Sequence, residues 1–150
     1  MSPGKARAIR HEDVPACVEL MRGNVPRYFT AQELAEFADR LTTRTSPFFA
    51  IEDGGEIVAC GGYRVDEARG EAGLNWGMVK RDLHRRGLGS LLLTERLAMI
   101  AREPHVRAVV LDTSQHSRAF YERHGFRAVA ETADGYAPGL DRIDMRLDVG

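Results

Sequence analysis

Apolar positions in this sequence fall into stretches of two kinds, some spaced three and four apart and others alternating or continuous, with Pro, Gly, Asp and Thr at the boundaries. Ala6 to Arg10 reads as a short first strand. A helix follows from about Asp13 to about Arg22, with Asp13 as a suitable N-cap, Pro15 in the first turn, and Val14, Cys17, Val18 and Met21 on one face. After a loop containing Pro26, Tyr28 and Phe29, Thr30 caps a second helix whose Leu34, Phe37, Ala38 and Leu41 recur at helical spacing, and Glu33 completes a capping box. Phe48 to Ile51 and Ile57 to Cys60 predict a hairpin about Asp53-Gly54-Gly55, and the turn residues Asp66 to Gly70 lead into a strand over Ala72 to Val79. Leu88 to about Arg102 predicts a helix that is apolar on more than one face and therefore packed against a sheet, with Pro104 stopping it. Val106 to Leu111 has the continuous apolar character of a buried central strand, and Ser114 to His124 reads as a short helix closed by Gly125. Phe126 to Glu131 and Arg142 to Leu147 are closing strands joined by a loop from Thr132 to Asp141. Hairpins at both ends and a crossover helix between them predict a mixed sheet with helices on its faces.

Composition narrows the class. A chain of 150 residues forms one ordinary domain, residues 1–150, and 43% hydrophobic with 29% charged residues is near the soluble globular average. The first ten residues lack the apolar core of a signal peptide, and no window approaches the length of a membrane span, so neither secretion nor membrane insertion is expected. Cys17 and Cys60, the two cysteines, have no CxxC spacing and no nearby histidine pattern, which predicts neither a disulfide framework nor a metal site and fits a reducing cytoplasm. A net charge of -1 gives no global reason to bind nucleic acid or an anionic membrane.

The positive charge is nevertheless gathered in one place. Lys80, Arg81, His84, Arg85 and Arg86 crowd around the turn that joins the predicted strand ending at Val79 to the helix beginning near Gly87-Leu88-Gly89-Ser90. A helix that starts at glycines presents unpaired backbone N–H groups and the positive end of its dipole to an anion, so this turn is a phosphate cradle. A Walker A loop would place a lysine between the second glycine and a Ser or Thr, but here Ser90 follows Gly89 directly. A dinucleotide fingerprint would need Gly or Ala where Leu92 stands. ATP, GTP and NAD are thereby disfavoured. A nucleic-acid patch is opposed by Asp82, which interrupts the basic run, and by the lack of an accompanying RNA-binding aromatic pattern.

His84-Arg85-Arg86-Gly87-Leu88-Gly89 is similar to the Gln/Arg-x-x-Gly-x-Gly/Ala signature of the GNAT superfamily of acyl-CoA-dependent N-acetyltransferases, with His84 where Gln or Arg is usual. Phe120-Tyr121-Glu122-Arg123-His124-Gly125-Phe126 resembles the same superfamily's Phe-Tyr-Glu-x-x-Gly-Phe segment, preceded by Ser114 where Asn is common. The resemblance covers essentially the whole chain. It implies an α/β fold of the GNAT type, a mostly antiparallel sheet of six to seven strands flanked by about four helices and splayed between the fourth and fifth strands. It also implies an enzyme of EC class 2.3.1, which transfers the acetyl group of acetyl-CoA to a primary amine of a small molecule, peptide or protein by direct attack and without a metal. The alternative is a non-catalytic acyl-CoA-binding or sensing module of the same fold. A homodimer is compatible with either.

By this resemblance the pantetheine arm of CoA would run along Met78 and Val79 as an added strand. Amides from Arg85 through Arg86, Gly87, Leu88, Gly89 and Ser90 would take the pyrophosphate, with Arg85 or Arg86 adding charge-assisted contacts and Ser114 and Ser117 lying close to the donor. Tyr121 would protonate the leaving thiolate, since a phenol near pKa 10 can serve a thiolate near about 8.5; the competing reading is a core tyrosine beside Phe120. Glu71 is the candidate general base, with Asn75, Trp76 and His116 as further possibilities. Tyr28, Phe29, Trp76 and Tyr136 are candidates for the acceptor site or, alternatively, aromatic plugs at the edge of the core. Asp134, Asp141 and Glu33 could attract a cationic amine.

Overall fold

The structure, a computed structural model, describes residues 4–84 and 87–149. Its elements in chain order are β1 (Arg7–Ala8), α1 (Val14–Arg22), α2 (Ala31–Thr42), β2 (Phe48–Asp53), β3 (Glu56–Asp66), β4 (Glu71–Val79), α3 (Leu88–Ile100), β5 (Ala108–Thr113), α4 (Arg118–Arg123), β6 (Arg127–Ala137) and β7 (Leu140–Asp148). The strands make one sheet in the order β1-β2-β3-β4-β5-β7-β6, antiparallel throughout except where β4 meets β5. This is the mixed, mostly antiparallel sheet flanked by helices that the sequence predicts.

Strand alternation divides the core between the two faces of the sheet. Ala50, Cys60 and Met78 turn to the face covered by α1 and α2, where Cys17, Leu20, Met21, Phe37 and Leu41 are buried against them. Ile51 and Ala59 turn to the opposite face, joined by Val58 because the β2–β3 register shifts there and leaves Val58 as an extra residue. All three meet Leu88 and Leu92 of α3, while Leu93 and Ile100 of the same helix join Leu74, Val109 and Met145. Local chemistry sets the helices in place. Thr30 Oγ1 accepts the Glu33 amide at 3.0 Å and Glu33 Oε1 accepts the Thr30 amide at 3.1 Å, closing the capping box at the start of α2. Phe37, in the middle of that helix, packs its ring 5.1 Å from Trp76 and 6.0 Å from Phe48.

The feature that shapes the site is the meeting of β4 and β5. These strands pair in parallel only over Glu71–Gly73 against Ala108–Val110. Beyond Gly73, β4 stays with β3 and β5 stays with β7, and a wedge opens between them. The divergence coincides with a bulge: the β3–β4 register passes from Gly62↔Asn75 to Cys60↔Met78, so Trp76 and Gly77 together oppose Gly61. Trp76 sits at φ 44°, a left-handed backbone held in place by its packing against Phe37.

Several expectations are corrected. Asp13 does not cap α1 with its side chain. Its carboxylate instead accepts from the Arg10 amide at 2.7 Å and Arg7 Nη1 at 2.8 Å, because a turn of 3-10 helix over His11–Asp13 already leads into α1. The segment Thr132 to Asp141 is not a loop but the far end of the β6–β7 hairpin. Side chain to backbone bonds hold these polar residues there: Asp141 Oδ1 accepts the Asp134 amide at 2.9 Å and Asp134 Oδ1 accepts the Gly139 amide at 2.7 Å. β3 runs on through Gly61 and Gly62 to Asp66, β5 lies two residues later than expected, and α4 is confined to Arg118–Arg123.

Phe37 ties α2 to the bulge, so Phe37→Ala is expected to destabilise the protein by about 3–5 kcal/mol. Urea unfolding followed by circular dichroism measures this.

Candidate active site

The wedge deepens into a cleft of about 1460 Å³. One wall is the start of α3. Gly87 precedes the helix at φ 81°, a conformation natural only to glycine, and its carbonyl accepts the Leu91 amide at 3.0 Å. The amides of the first turn have no carbonyl one turn back to bond, so they face the cleft mouth as donors at the positive end of a thirteen-residue helix. Gly89 brings this turn against α4: a side chain there would meet the Phe120 ring at 3.4 Å. Ser90 Oγ lies 3.0 Å from His124 Nε2, a second tie between the two helices.

The free edge of β4 is the next wall. The Lys80 amide donates to Val58 O at 2.8 Å, and the alternation of an antiparallel ladder then turns the amide and carbonyl of Val79 away from β3 and into the wedge. Two side chains converge on that carbonyl: Asn24 Nδ2 at 2.9 Å and His84 Nε2 at 2.9 Å. A carbonyl only accepts, so His84 carries its proton on Nε2. The His84 ring also stands edge-on to Tyr28, 5.2 Å between centroids, and Tyr28 in turn meets His116 at 5.9 Å. The histidine at the atypical motif position thus joins the end of β4 to the loop before α2.

Tyr121 projects from α4 onto the cleft wall, wedged between Phe120 at 5.0 Å and Phe126 at 5.6 Å. Facing it from α3 is Arg96, only 2% exposed, whose Nη1 donates to Gly62 O at 3.1 Å and whose Nε has no partner. Burial pulls the Arg96 guanidinium below its ordinary pKa, opposed by the nearby Tyr121 and Cys60.

At the other end the cleft is lined by Tyr28, Phe29, Glu33, Glu36, Trp76, Asp112 and Tyr136. The Tyr136 hydroxyl donates to Asp112 Oδ2 in a short contact, and burial together with that carboxylate pushes the phenol far above its usual range, so it remains a neutral donor. Desolvation raises the Glu33 carboxyl above 4.5, only partly offset by its hydrogen bonds with Thr30.

Of the residues singled out in the sequence, Tyr28, Phe29, Glu71, Trp76, Met78, Val79, Gly87, Gly89, Ser90, Ser114, Ser117, Tyr121 and Tyr136 line this one cleft. Leu88 is buried beneath β2 and β3, so its side chain belongs to the core and not to the cleft. Glu71 sits at the closed end of the wedge with its carboxylate 2.8 Å from Arg146 Nη1. Arg85 and Arg86 lie outside the described residues. Among the described residues no cluster of His, Cys, Asp or Glu is arranged to hold a metal ion, and no helix is long and apolar enough to cross a membrane. Sequence reasoning missed Asn24, Arg96 and His124. The one weak signal concerned Arg96, a charge in a helix that is apolar on more than one face, and it did not separate Arg96 from the neighbouring Glu95.

A raised carboxyl binds its proton more tightly in the folded than in the unfolded chain. The stability contributed by protonated Glu33 is therefore present in acid and lost as pH rises from the unfolded value near 4.5 through the folded one. Glu33→Gln is expected to flatten that fall, read as the change in urea midpoint between acid and neutral pH.

The profile of the acetyltransferase (GNAT) family matches residues 14–126. A protein of Desulfovibrio desulfuricans assigned to the GNAT family has a similar structure, with 25% identity, TM-score 0.81, and 99% of this chain and 100% of that one covered. The ribosomal-protein-S18-alanine N-acetyltransferase of Escherichia coli superposes with TM-score 0.81 at 21% identity, covering 99% of this chain and 95% of its own. An aminoglycoside 6'-N-acetyltransferase complexed with coenzyme A superposes with TM-score 0.78 at 14% identity, covering 97% of each. None of the curated proteins compared matches the chain.

Proposed function

Because the chain belongs to the acetyltransferase (GNAT) family, an N-acetyltransferase family, we propose that it moves an acetyl group from acetyl-CoA to a primary amine by direct attack of the amine on the thioester. The observation that carries this reading is the convergence, in one cleft, of the α3 amides, the unpaired edge of β4 and the Tyr121 phenol.

The α3 amides at Gly87 to Ser90 suit the CoA pyrophosphate, since a helix N-terminus offers both donors and positive potential to an anion. Arg85 and Arg86 are expected to add charge beside it. The Val79 amide faces the wedge as a strand donor for the pantetheine amide groups, while the Val79 carbonyl is already engaged by Asn24 and His84. The thioester then lies near Met78, with Ser114 and Ser117 on the opposite wall. Attack by the amine breaks the C–S bond, and the departing thiolate takes the Tyr121 proton.

The acceptor enters between the loop before α2 and the β6–β7 hairpin, against Tyr28, Phe29, Trp76 and Tyr136. Glu33, Glu36 and Asp112 are the carboxylates at this end that a cationic amine would meet, set among Arg27, Arg40 and Arg142. The attacking nitrogen must shed a proton. Glu71 is occupied by Arg146, whereas desolvation raises the affinity of Glu33 for a proton, which favours Glu33 as its recipient. An alanine N-terminus of a ribosomal protein and an aminoglycoside amine are the acceptors named for two structural neighbours. A small amine and a protein N-terminus are the two acceptor classes proposed here.

Tyr121→Phe is expected to lower turnover at least about tenfold while acetyl-CoA binding persists. Thiol release with an amine and peptide panel tests this, and undiminished turnover removes Tyr121 from the mechanism. Gly89→Glu places a bulky anion in the cradle and against Phe120. Calorimetry should then detect no acetyl-CoA binding, and retained micromolar affinity would refute the cradle.

A further inference from the structure

Arg96 is the one charged residue within α3 that is wholly buried, and its surroundings are built to receive it. A side chain on Gly77 would stand 2.6 Å from Arg96 Nη2, and one on Gly61 would stand 3.0 Å from Arg96 Nη1, so both neighbouring strands are cleared at that point. The bulge at Trp76 and Gly77 interrupts the β3–β4 ladder, and Nη1 takes the Gly62 carbonyl beside it.

That bond uses one side of the guanidinium. The other side, where Nε–H and an Nη2–H run parallel, is the fork that matches two oxygens of an anion; Nε has no partner among the described residues, and the Tyr121 phenol is a hydrogen-bonding neighbour of the guanidinium. A buried cation without a carboxylate partner is costly to the fold. The groups nearby that favour its charge are Tyr121 and Cys60, neither of them a carboxylate. Arg96 also lines the cleft, at the inner end of the wedge where Gly77 and Tyr121 meet.

We propose that Arg96 forms an anion subsite at the acyl end of the donor cleft, a further catalytic residue whose Nη2 stabilises the oxyanion formed when the amine adds to the thioester carbonyl. This rests on the reading that an acyl-CoA occupies the wedge. As the C–N bond forms, the carbonyl π electrons move onto oxygen, which becomes negative beside the guanidinium. When that charge returns to carbon the C–S bond breaks, and the thiolate takes the Tyr121 proton. A fixed cation in a water-poor site stabilises such transient charge without having to reorganise. The deficit left by the missing partner in the resting protein is met only when the charge appears.

The test needs no acceptor. S-carboxymethyl-CoA and S-acetonyl-CoA are nearly isosteric at the acyl end, one bearing a negative charge and the other neutral, and their dissociation constants are measured by calorimetry at neutral pH. The wild-type protein is expected to favour the carboxymethyl compound by about tenfold, as one desolvated charge-assisted contact does. Arg96→Met should bring the ratio to one, and Arg96→Lys should keep part of it. Gly77→Ala, which drives a methyl group into Nη2 while keeping the charge, should also lower the ratio and serves where Arg96→Met does not fold. A propping role for Arg96 at the bulge would weaken both ligands alike and leave the ratio unchanged, so an unchanged ratio in these variants, or a ratio of one in the wild type, overturns the subsite. If the wild type binds neither compound, the acyl-CoA reading itself fails and the subsite with it.

Discussion

Parallel strands share hydrogen bonds only while their axes stay about 4.8 Å apart, and β4 and β5 keep that relation for three residue pairs. The bulge at Trp76 and Gly77 then accompanies the departure of β4, with β3 following it on one side and β7 holding β5 on the other. Backbone groups that an ordinary sheet would pair are left facing a cleft. The start of α3, the Tyr121 wall and the end lined by Tyr28, Trp76 and Tyr136 are all arranged around that opening.

The bulge also links the two faces of the sheet. On one side Trp76 is held against Phe37, which the capping box at Thr30 and Glu33 places in the middle of α2. On the other, Gly77 admits Arg96, whose bond to Gly62 occupies a carbonyl beside the broken ladder. α2 and α3 therefore press on adjacent residues of β4, one from each face. Strain at Trp76, a left-handed backbone on a bulky residue, persists because both faces constrain it.

Charge in the cleft is distributed along its length. Glu33, Glu36 and Asp112 line the end that holds Tyr28, Trp76 and Tyr136, interleaved there with Arg27, Arg40 and Arg142, while the α3 amides and the buried Arg96 guanidinium lie elsewhere along it. The proposed reaction runs from the first region to the second, with negative charge developing where positive potential is fixed. His84 has a connecting part in this arrangement, reaching from the cradle turn to the Val79 carbonyl and to Tyr28.

Local signals in the sequence were enough for what depends on local physics. Helical spacing and the Thr30–Glu33 pair placed α2, the glycines at 87 and 89 marked the start of α3, and the Phe120 to Phe126 segment located Tyr121. Together they identified the fold and most of the cleft lining. Pairing between distant strands was not legible in the same way. The β6–β7 hairpin is held at its tip by aspartate side chains that resemble a loop in sequence, and the bulge at Trp76 exists only because β3, Phe37 and Arg96 meet there. Arg96 most clearly needed the tertiary structure, since an arginine in a helix belongs in water unless its neighbours forbid it. Its burial was decided by two glycines on other strands, Gly61 and Gly77, and that distance in sequence is the physical reason the chain alone did not reveal it.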